Sequence, residues 1–394
     1  MESVNQKSKI NQYLVDPEYR FLFQCCRAVF SCEEVSYPKD IKQDRFLKIL
    51  WYHKLVPQLY PLLKRCKELP DTLLREVQNL LEEHQQKILK LSGELVLLAR
   101  LFARHQISWL CVKGPALSVQ LYHDVAMRQS SDLDILVNEE DLDQVRQLLK
   151  EAGYRTSFDE RSLNRKQYRY ILDHASDQSF IHSEKNIHIE LHWRLTYGKK
   201  VLPSNKDFFT GTTHVSIAGQ AIPTIGDTMH ALYLCRHGSV HIWFRLFWLW
   251  DVAYALRHMS DSEIKNLSEL ARKYKMNKIL AQSVYLAEQV FGINISSLHA
   301  QLSYPRSLVD TALQQIILKN RRSDKLTDMW HDFIYRMKLE ESCSNKTAVA
   351  GLRLTNPSDW ATIHLPEQCF FLYYPLKPFI LLLRKMGKIK SQTK

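Results

Sequence analysis

From Pro70 to about Ala103, apolar side chains at Leu73, Val77, Leu80, Leu81, Ile88, Leu91, Leu95 and Leu98 return at steps of three, four and seven, with Glu, Gln, Lys and Arg between them. That spacing lines them up along one side of a helix and predicts a long amphipathic one. Pro70 stands where a helix start tolerates proline, and Asp71 and Glu76 place negative charge near the positive end of the helix dipole. The preceding segment DRFLKILWYHKLVPQLYPLLKRC has the same character, so residues 1–105 read as a helical N-terminal region.

Near Ile107 the period changes. Short runs rich in β-branched and aromatic residues follow one another: ISWLCVKG, SDLDILV, YRTSF, QSFIHS, NIHIELHW and THVSIAG. Helical patterns lie between the first two (PALSVQLYHDVAM) and after the second (EEDLDQVRQLLKEAGY), with Gly153 ending the latter. Residues 106–225 therefore read as a small mixed α/β core. Helical patterning resumes after Gly226, so 226–394 reads as a second helical domain. A turn-rich stretch, ESCSNKTAVAGLRLTNPSD, interrupts it before the apolar segment CFFLYYPLKPFILLLRKMGK. The expected class is α+β: a small mixed sheet flanked by N- and C-terminal helices.

Composition adds a few bounds. A chain of 394 residues exceeds a typical single core, which favours two or three packed domains. No stretch reaches the roughly 18 to 20 uninterrupted apolar residues of a membrane span. The N-terminus has no apolar run behind its charges, so neither a secretory signal nor an anchor is expected and the expected location is cytoplasmic. Cys25, Cys26, Cys32, Cys66, Cys111, Cys235, Cys343 and Cys369 lack paired C-x-x-C spacing and suit reduced, mostly buried thiols. The formal charge of +12 is compatible with an anionic partner, but it is spread over RKYK, KNRRSDK and the C-terminal tail, as on a solvated surface.

Chemistry concentrates in two strands. Residues two apart on a strand share a face, so SDLDILV presents Asp132 and Asp134 on one side and Leu133, Ile135 and Val137 on the other. Adjacent carboxylates repel unless a cation lies between them, and a hard divalent ion with oxygen ligands is a common solution, although a solvated edge strand shows the same pattern. NIHIELHW supplies a third carboxylate, Glu190, on a face shared with His188 and His192. Three acids from neighbouring strands can hold two Mg2+ ions, with Mn2+ as the alternative, as phosphoryl and nucleotidyl transfer require. Lys113 and Gly114 end a strand just before a helix, where backbone N–H groups suit phosphate. Arg128, Ser130 and Ser131 precede the acidic strand as further phosphate contacts.

With these residues in view, KGPALSVQLYHDVAMRQSSDLDILV followed by IHIELHW resembles the uncharacterised nucleotidyltransferase family of the DNA polymerase beta-like superfamily. The resemblance rests on Gly114, on Asp132 with Asp134, and on Glu190. It implies a metal-dependent transfer in which an acceptor hydroxyl attacks the α-phosphate of a nucleoside triphosphate and pyrophosphate leaves. It extends to His230, His237, Arg245, Trp248 and Asp251, and more weakly to NPSDW and YYPLKPFILLLRK. Two features depart from the superfamily pattern: Gly114-Pro115 stands in place of Gly-Ser or Gly-Gly, and the interval to Asp132 is longer.

Other chemistries compete with this one. His188, Glu190 and His192 offer an imidazole and carboxylate set to zinc or iron, although the acidic pair favours magnesium. His192, His237, Arg245 and Asp251 are the candidates for supporting the carboxylates or facing the acceptor, with Arg245 a sequence neighbour able to pair with Asp251. Aromatics at Trp243, Phe244, Phe247, Trp248 and Trp250 read first as core and second as an acceptor surface. The C-terminal segment reads either as a helix broken by two prolines or as a peripheral contact with an anionic membrane. Three classes stay open: an enzyme moving a nucleotidyl group to an unknown small molecule, sugar, peptide, protein or RNA; a catalytically silent relative that binds or regulates; and a basic nucleic-acid-associated protein.

Overall fold

A computed structural model describes residues 16–156, 163–196, 201–299, 302–318, 325–351, 355 and 357–385. Four helices come first: α1 (Pro17–Ser31), α2 (Gln43–Tyr52), α3 (Val56–Leu63) and α4 (Asp71–Arg104). A mixed segment follows, with β1 (Trp109–Cys111), α5 (Gly114–Tyr122), β2 (Leu133–Val137), α6 (Leu142–Glu151), β3 (Arg155–Thr156), α7 (Arg165–His174), β4 (Asp177–His182), β5 (Ile187–His192), α8 (Asn205–Phe209), β6 (Thr213–Ile217) and β7 (Gln220–Thr224). The remainder is helical: α9 (Asp227–Val240), α10 (Leu246–His258), α11 (Asp261–Lys273), α12 (Asn277–Phe291), α13 (Ser296–His299), α14 (Arg306–Leu318), α15 (Lys325–Leu339), α16 (Cys343–Gly351), α17 (Pro357–Thr362) and, after a 3-10 turn, α18 (Tyr373–Lys385). The class is α+β, as the hydrophobic periods imply.

Five strands form one sheet in the order β1-β2-β5-β4-β3, and β6 pairs with β7 as a separate hairpin. Within the large sheet only β2 and β5 run parallel; the other pairs are antiparallel. Leu133, Ile135 and Val137 of β2 and Ile187, Ile189 and Leu191 of β5 turn toward a buried cluster that also takes Ile88, Leu91, Leu95 and Phe102 from α4. A second cluster combines α1 to α3 with α9 to α12. Helices far apart in sequence thus share one core, and α4 serves both: Leu73 and Val77 at its start belong to the helical core, and Ile88 to Phe102 to the sheet core.

Two local expectations change. The turn-rich stretch contains α16, which buries Asn345 and Val349; the Asn345 amide donates to the Glu340 carboxylate at 2.7 Å, a tertiary bond that favours helix over the local turn preference. The C-terminal helix runs on through Pro378, with Tyr373 and Ile380 fully buried and Phe371, Phe379 and Leu382 exposed. All eight cysteines are free thiols, of which Cys25, Cys26, Cys111 and Cys235 are buried and Cys32 and Cys343 exposed. No helix of the described residues is long and apolar enough to cross a membrane. The N-terminal segment, most of the basic tail, Ser157 and Phe158 of YRTSF, and Asn356 of NPSDW lie outside the described residues.

Candidate active site

The parallel pairing of β2 with β5 sets Asp134 directly beside Glu190, and Leu136 beside His192. Asp132, one residue before β2, has the same parity as Asp134 and lies on the same face. The polar sets on the two strands therefore meet while their apolar sets enter the core. Asp132, His188 and Glu190 each offer a ligand atom within 4.8 Å of the others, and so do Asp134, Glu190 and His192, with Glu190 common to both groups. His188 Nδ1 is 3.9 Å from Asp132, and His192 Nε2 lies 3.3 Å from Asp134 and 3.6 Å from Glu190. Three carboxylates suit a hard divalent cation; the two imidazoles extend the set toward Mn2+ and later metals. The donor chemistry therefore fits the metal that the sequence implies.

A lysine and an imidazole hold these acids in the fold. Lys113 Nζ is 2.7 Å from Asp134 Oδ1, with both side chains nearly buried. Burial alone would raise the Asp134 carboxyl, but Lys113 and His192 outweigh it and keep it well below the usual carboxylate range. Burial likewise pushes down on the Lys113 ammonium, and the charge of Asp134 more than restores it. Asp132 is raised, first by burial and then by Asp134 and Glu190, so the two aspartates are driven apart. His192 would be lowered by its burial, yet its bonds to Asp134 and Glu190 lift it to about 9.

Local geometry explains why a glycine begins α5. Gly114 has φ +68°, the left-handed region that side chains resist, and a Cβ there would lie 3.4 Å from the Asp132 carbonyl oxygen. Val112 N–H donates to the Asp134 carbonyl at 2.9 Å, which ties this turn to β2, and Pro115 follows within the first helical turn. Lys113 caps the helix start without a side-chain capping bond and points its ammonium at the carboxylates instead.

The remaining candidates separate. Arg128 is buried, donates to Asp251 at 2.8 Å and to Ser130 Oγ at 3.1 Å, and lies over the Phe247 ring. Tyr122 donates to the other Asp251 oxygen at 2.6 Å. Asp251 therefore has its partners in Arg128 and Tyr122. Arg245 reaches instead across to the Tyr52 carbonyl and sits 4.4 Å from that ring, so the sequence-neighbour pairing gives way to a tertiary one. Ser130 is turned inward with Arg128, whereas Ser131 is exposed. His237 is lowered well below the ordinary imidazole value, by burial first and then by Lys113, and its ring packs 5.1 Å from Trp248. Trp243, Phe247 and Trp250 are core; Phe244 and Trp248 are half-buried beside His237 and His241.

Sequence reasoning missed Lys54. It follows α2, adopts a left-handed φ of +55°, and lies over Phe247, close enough to Asp132 for the carboxylate to support its charge. Burial dominates and brings its ammonium down to about 8. A lysine at the end of an apolar helix carries no local mark of this role. Tyr233 escaped for the same reason: it lies on a predominantly buried helix, where Lys113 and the carboxylates feel it only through the fold.

A family model described as "Uncharacterised nucleotidyltransferase" matches residues 39–292, well over half of the chain. Among solved structures, the antibiotic-resistance factor ANT(2'')-Ia aligns at 9% identity and a TM-score of 0.35, covering 48% of this chain and 93% of its own. An antigenic nucleotidyltransferase-like protein from Paracoccidioides brasiliensis aligns at 14% identity and a TM-score of 0.29, covering 48% and 92%. No curated protein matches.

Proposed function

As the chain belongs to the uncharacterised nucleotidyltransferase family, we propose that it transfers a nucleoside monophosphate from a nucleoside triphosphate to an acceptor hydroxyl, with release of pyrophosphate. The observation that carries this reading is the register of β2 with β5, which converges Asp132, Asp134 and Glu190 from two strands. These carboxylates, with His188 and His192 beside them, would hold divalent metal. A bound divalent ion supplies charge neutralisation at the phosphates and a more acidic acceptor hydroxyl.

The chain's own groups do the positioning. Residues 106–225 form the catalytic region in this proposal, and the helices on either side shape the acceptor cleft. Lys113 and Lys54, 59 positions apart in the sequence, bring positive charge to Asp134 and Asp132, and both stand ready to meet a triphosphate. Gly114 lets the backbone at the start of α5 come close to phosphate, and exposed Ser131 adds a hydroxyl near the acids. Arg128 acts one step removed: anchored on Asp251, it fixes the segment that delivers Ser131 and Asp132. Glu190, half-exposed and common to the two ligand groups, would help to take the proton from an incoming hydroxyl. The exposed Phe371, Phe379 and Leu382, with the lysines beyond them, support peripheral contact with an anionic membrane surface.

The test is calorimetric titration of each nucleoside triphosphate, with Mg2+, with Mn2+ and without metal, into the wild type and an Asp132→Asn/Asp134→Asn variant. Metal-dependent binding by the wild type that the variant loses at least about a hundredfold is the expected result. A folded wild type that binds no triphosphate, or a variant that binds equally well, moves the protein to the silent, regulatory class.

A further inference from the structure

The outer side of α4 carries a ridge that no described residue covers. From Gln86 to Arg104 the helix is buried against the sheet core on one side, and along the opposite side Gln86, Leu89, Gly93, Leu97, Arg100 and Arg104 are exposed. Leu89 is 66% and Leu97 52% exposed. Gly93 lies between them, four positions from each, and a Cβ there would meet nothing within 4 Å. Glycine weakens a helix interior relative to alanine, and no contact within the chain requires it here. The pattern is symmetric about that glycine: Gln86 and Arg100 stand seven positions either side of it, and Glu82 and Arg104 eleven. Eleven residues are three turns, so these positions lie on one line. The ridge is acidic at one end, with Glu82 and Glu83, and basic at the other, with Arg100 and Arg104. None of the four forms an ion pair among the described residues; Glu82 accepts one bond, from the Gln78 amide at 2.9 Å.

We propose that this ridge pairs with the same ridge of a second copy of the chain, antiparallel, about a two-fold axis at Gly93. A two-fold contact must be self-complementary, and this one is. The two glycines meet at the axis and let the backbones come close, and Leu89 packs on the partner's Leu97. Glu82 lies opposite the partner's Arg104, with Glu83 and the partner's Arg100 next to them, so opposite charges meet at both ends. Lys87 and Lys90, the other exposed cations of this stretch, fall opposite the partner's Ala99 and Val96, and no like charges face one another directly. An eleven-residue spacing matches a nearly straight helix, so the pair runs side by side for about 33 Å from Glu82 to Arg104. The complement that the ridge requires is the one this chain already carries, which singles out a second copy over an unrelated helix. One helix pair is a small interface, so the dimer is weak, with a Kd on the order of 10–100 μM.

Sedimentation equilibrium of the full chain measures the association, at concentrations spanning the expected Kd and at ~0.15 M salt to screen the net charge of +12. Wild type is expected to pass from monomer to dimer. Gly93→Leu fills the axis and should weaken the dimer at least about tenfold, while the thermal midpoint of the dilute monomer rises because leucine suits a helix better. Glu82→Arg or Arg104→Glu alone should weaken the dimer about fivefold, since each disrupts both ends of the symmetric contact. The two together should restore it, because the pairs re-form with their charges exchanged. A chain that stays monomeric throughout, a dimer that Gly93→Leu leaves unchanged, or a double exchange no tighter than the singles overturns the proposal. None of the substituted residues belongs to the metal-ligating groups, so neither result bears on the transfer reading.

Discussion

Asp251→Ala tests whether Arg128, Asp251 and Tyr122 act as one unit. Asp251 is fully buried, Arg128 is 3% exposed, and the carboxylate accepts at 2.8 Å from the guanidinium and at 2.6 Å from the tyrosine. Removing the carboxylate leaves a buried guanidinium donating to Ser130 Oγ, without its charge partner, a change that typically costs about 3–5 kcal/mol. The Tyr122 hydroxyl loses its acceptor as well, adding about 1 kcal/mol. The single variant should therefore fall by roughly 4–6 kcal/mol, much of the ~5–15 kcal/mol that holds a typical protein folded. Arg128→Met/Asp251→Leu removes both charges and fills the space, so it should lie within about 2 kcal/mol of wild type and reveal a strong favourable coupling. Urea unfolding followed by tryptophan fluorescence measures Asp251→Ala and the four corners of the cycle, which are wild type, Arg128→Met, Asp251→Leu and the double variant, with Trp250 adjacent to the substituted position. An Asp251→Ala loss below about 1 kcal/mol, or a double variant as unstable as the sum of the singles, would refute the argument.

Two further outcomes follow from buried groups. His53 is fully buried, its Nδ1 accepts from Leu246 N–H at 3.2 Å and its Nε2 faces the Tyr19 hydroxyl at 3.3 Å; burial brings it down to about 3. Unfolding frees it to take a proton below its ordinary value near 6.5, so the unfolded state binds more protons between pH 6.5 and 3 and stability is lost as the pH is lowered through that window, at up to ~1.4 kcal/mol per unit from this one group. His53→Asn, which can keep an acceptor toward Leu246, should flatten that slope in denaturation curves taken across the window; an unchanged slope counts against the assignment. Gly238→Ala should destabilise by about 3 kcal/mol or more, because the new methyl would lie 2.1 Å from the buried Trp243 ring, and a thermal midpoint within a degree of wild type would contradict this.

How far the sequence reaches depends on the range of the interaction. The long helix, expected from Pro70 to about Ala103, is Asp71–Arg104, since its apolar stripe and N-terminal acids are local signals. The acidic strands were legible too, because alternation fixes which residues share a face before any partner strand is known. That Asp134 lies beside Glu190 depends on a parallel crossover, which no local pattern encodes. The Arg128–Asp251 pair spans 123 residues, and proximity in sequence pointed to Arg245 instead. Lys54 was invisible for the same reason: it reaches the acids only once α1 to α3 share a core with α9 to α12.

The 34 residues of α4 give that helix a length of about 51 Å, and it is anchored at both ends in different cores. Midway, the His84 ring meets the Ala126 carbonyl at 2.8 Å, on the segment that leads to Asp132. Such a strut restricts how the two cores can move: a wide hinge opening would have to bend a continuous helix, so the low-cost motions are small rotations about its axis and slides along it. Substrate capture by this protein would then rest on side chains and short loops shifting against a stiff frame, with the distance between Lys54 and the sheet acids held nearly constant throughout.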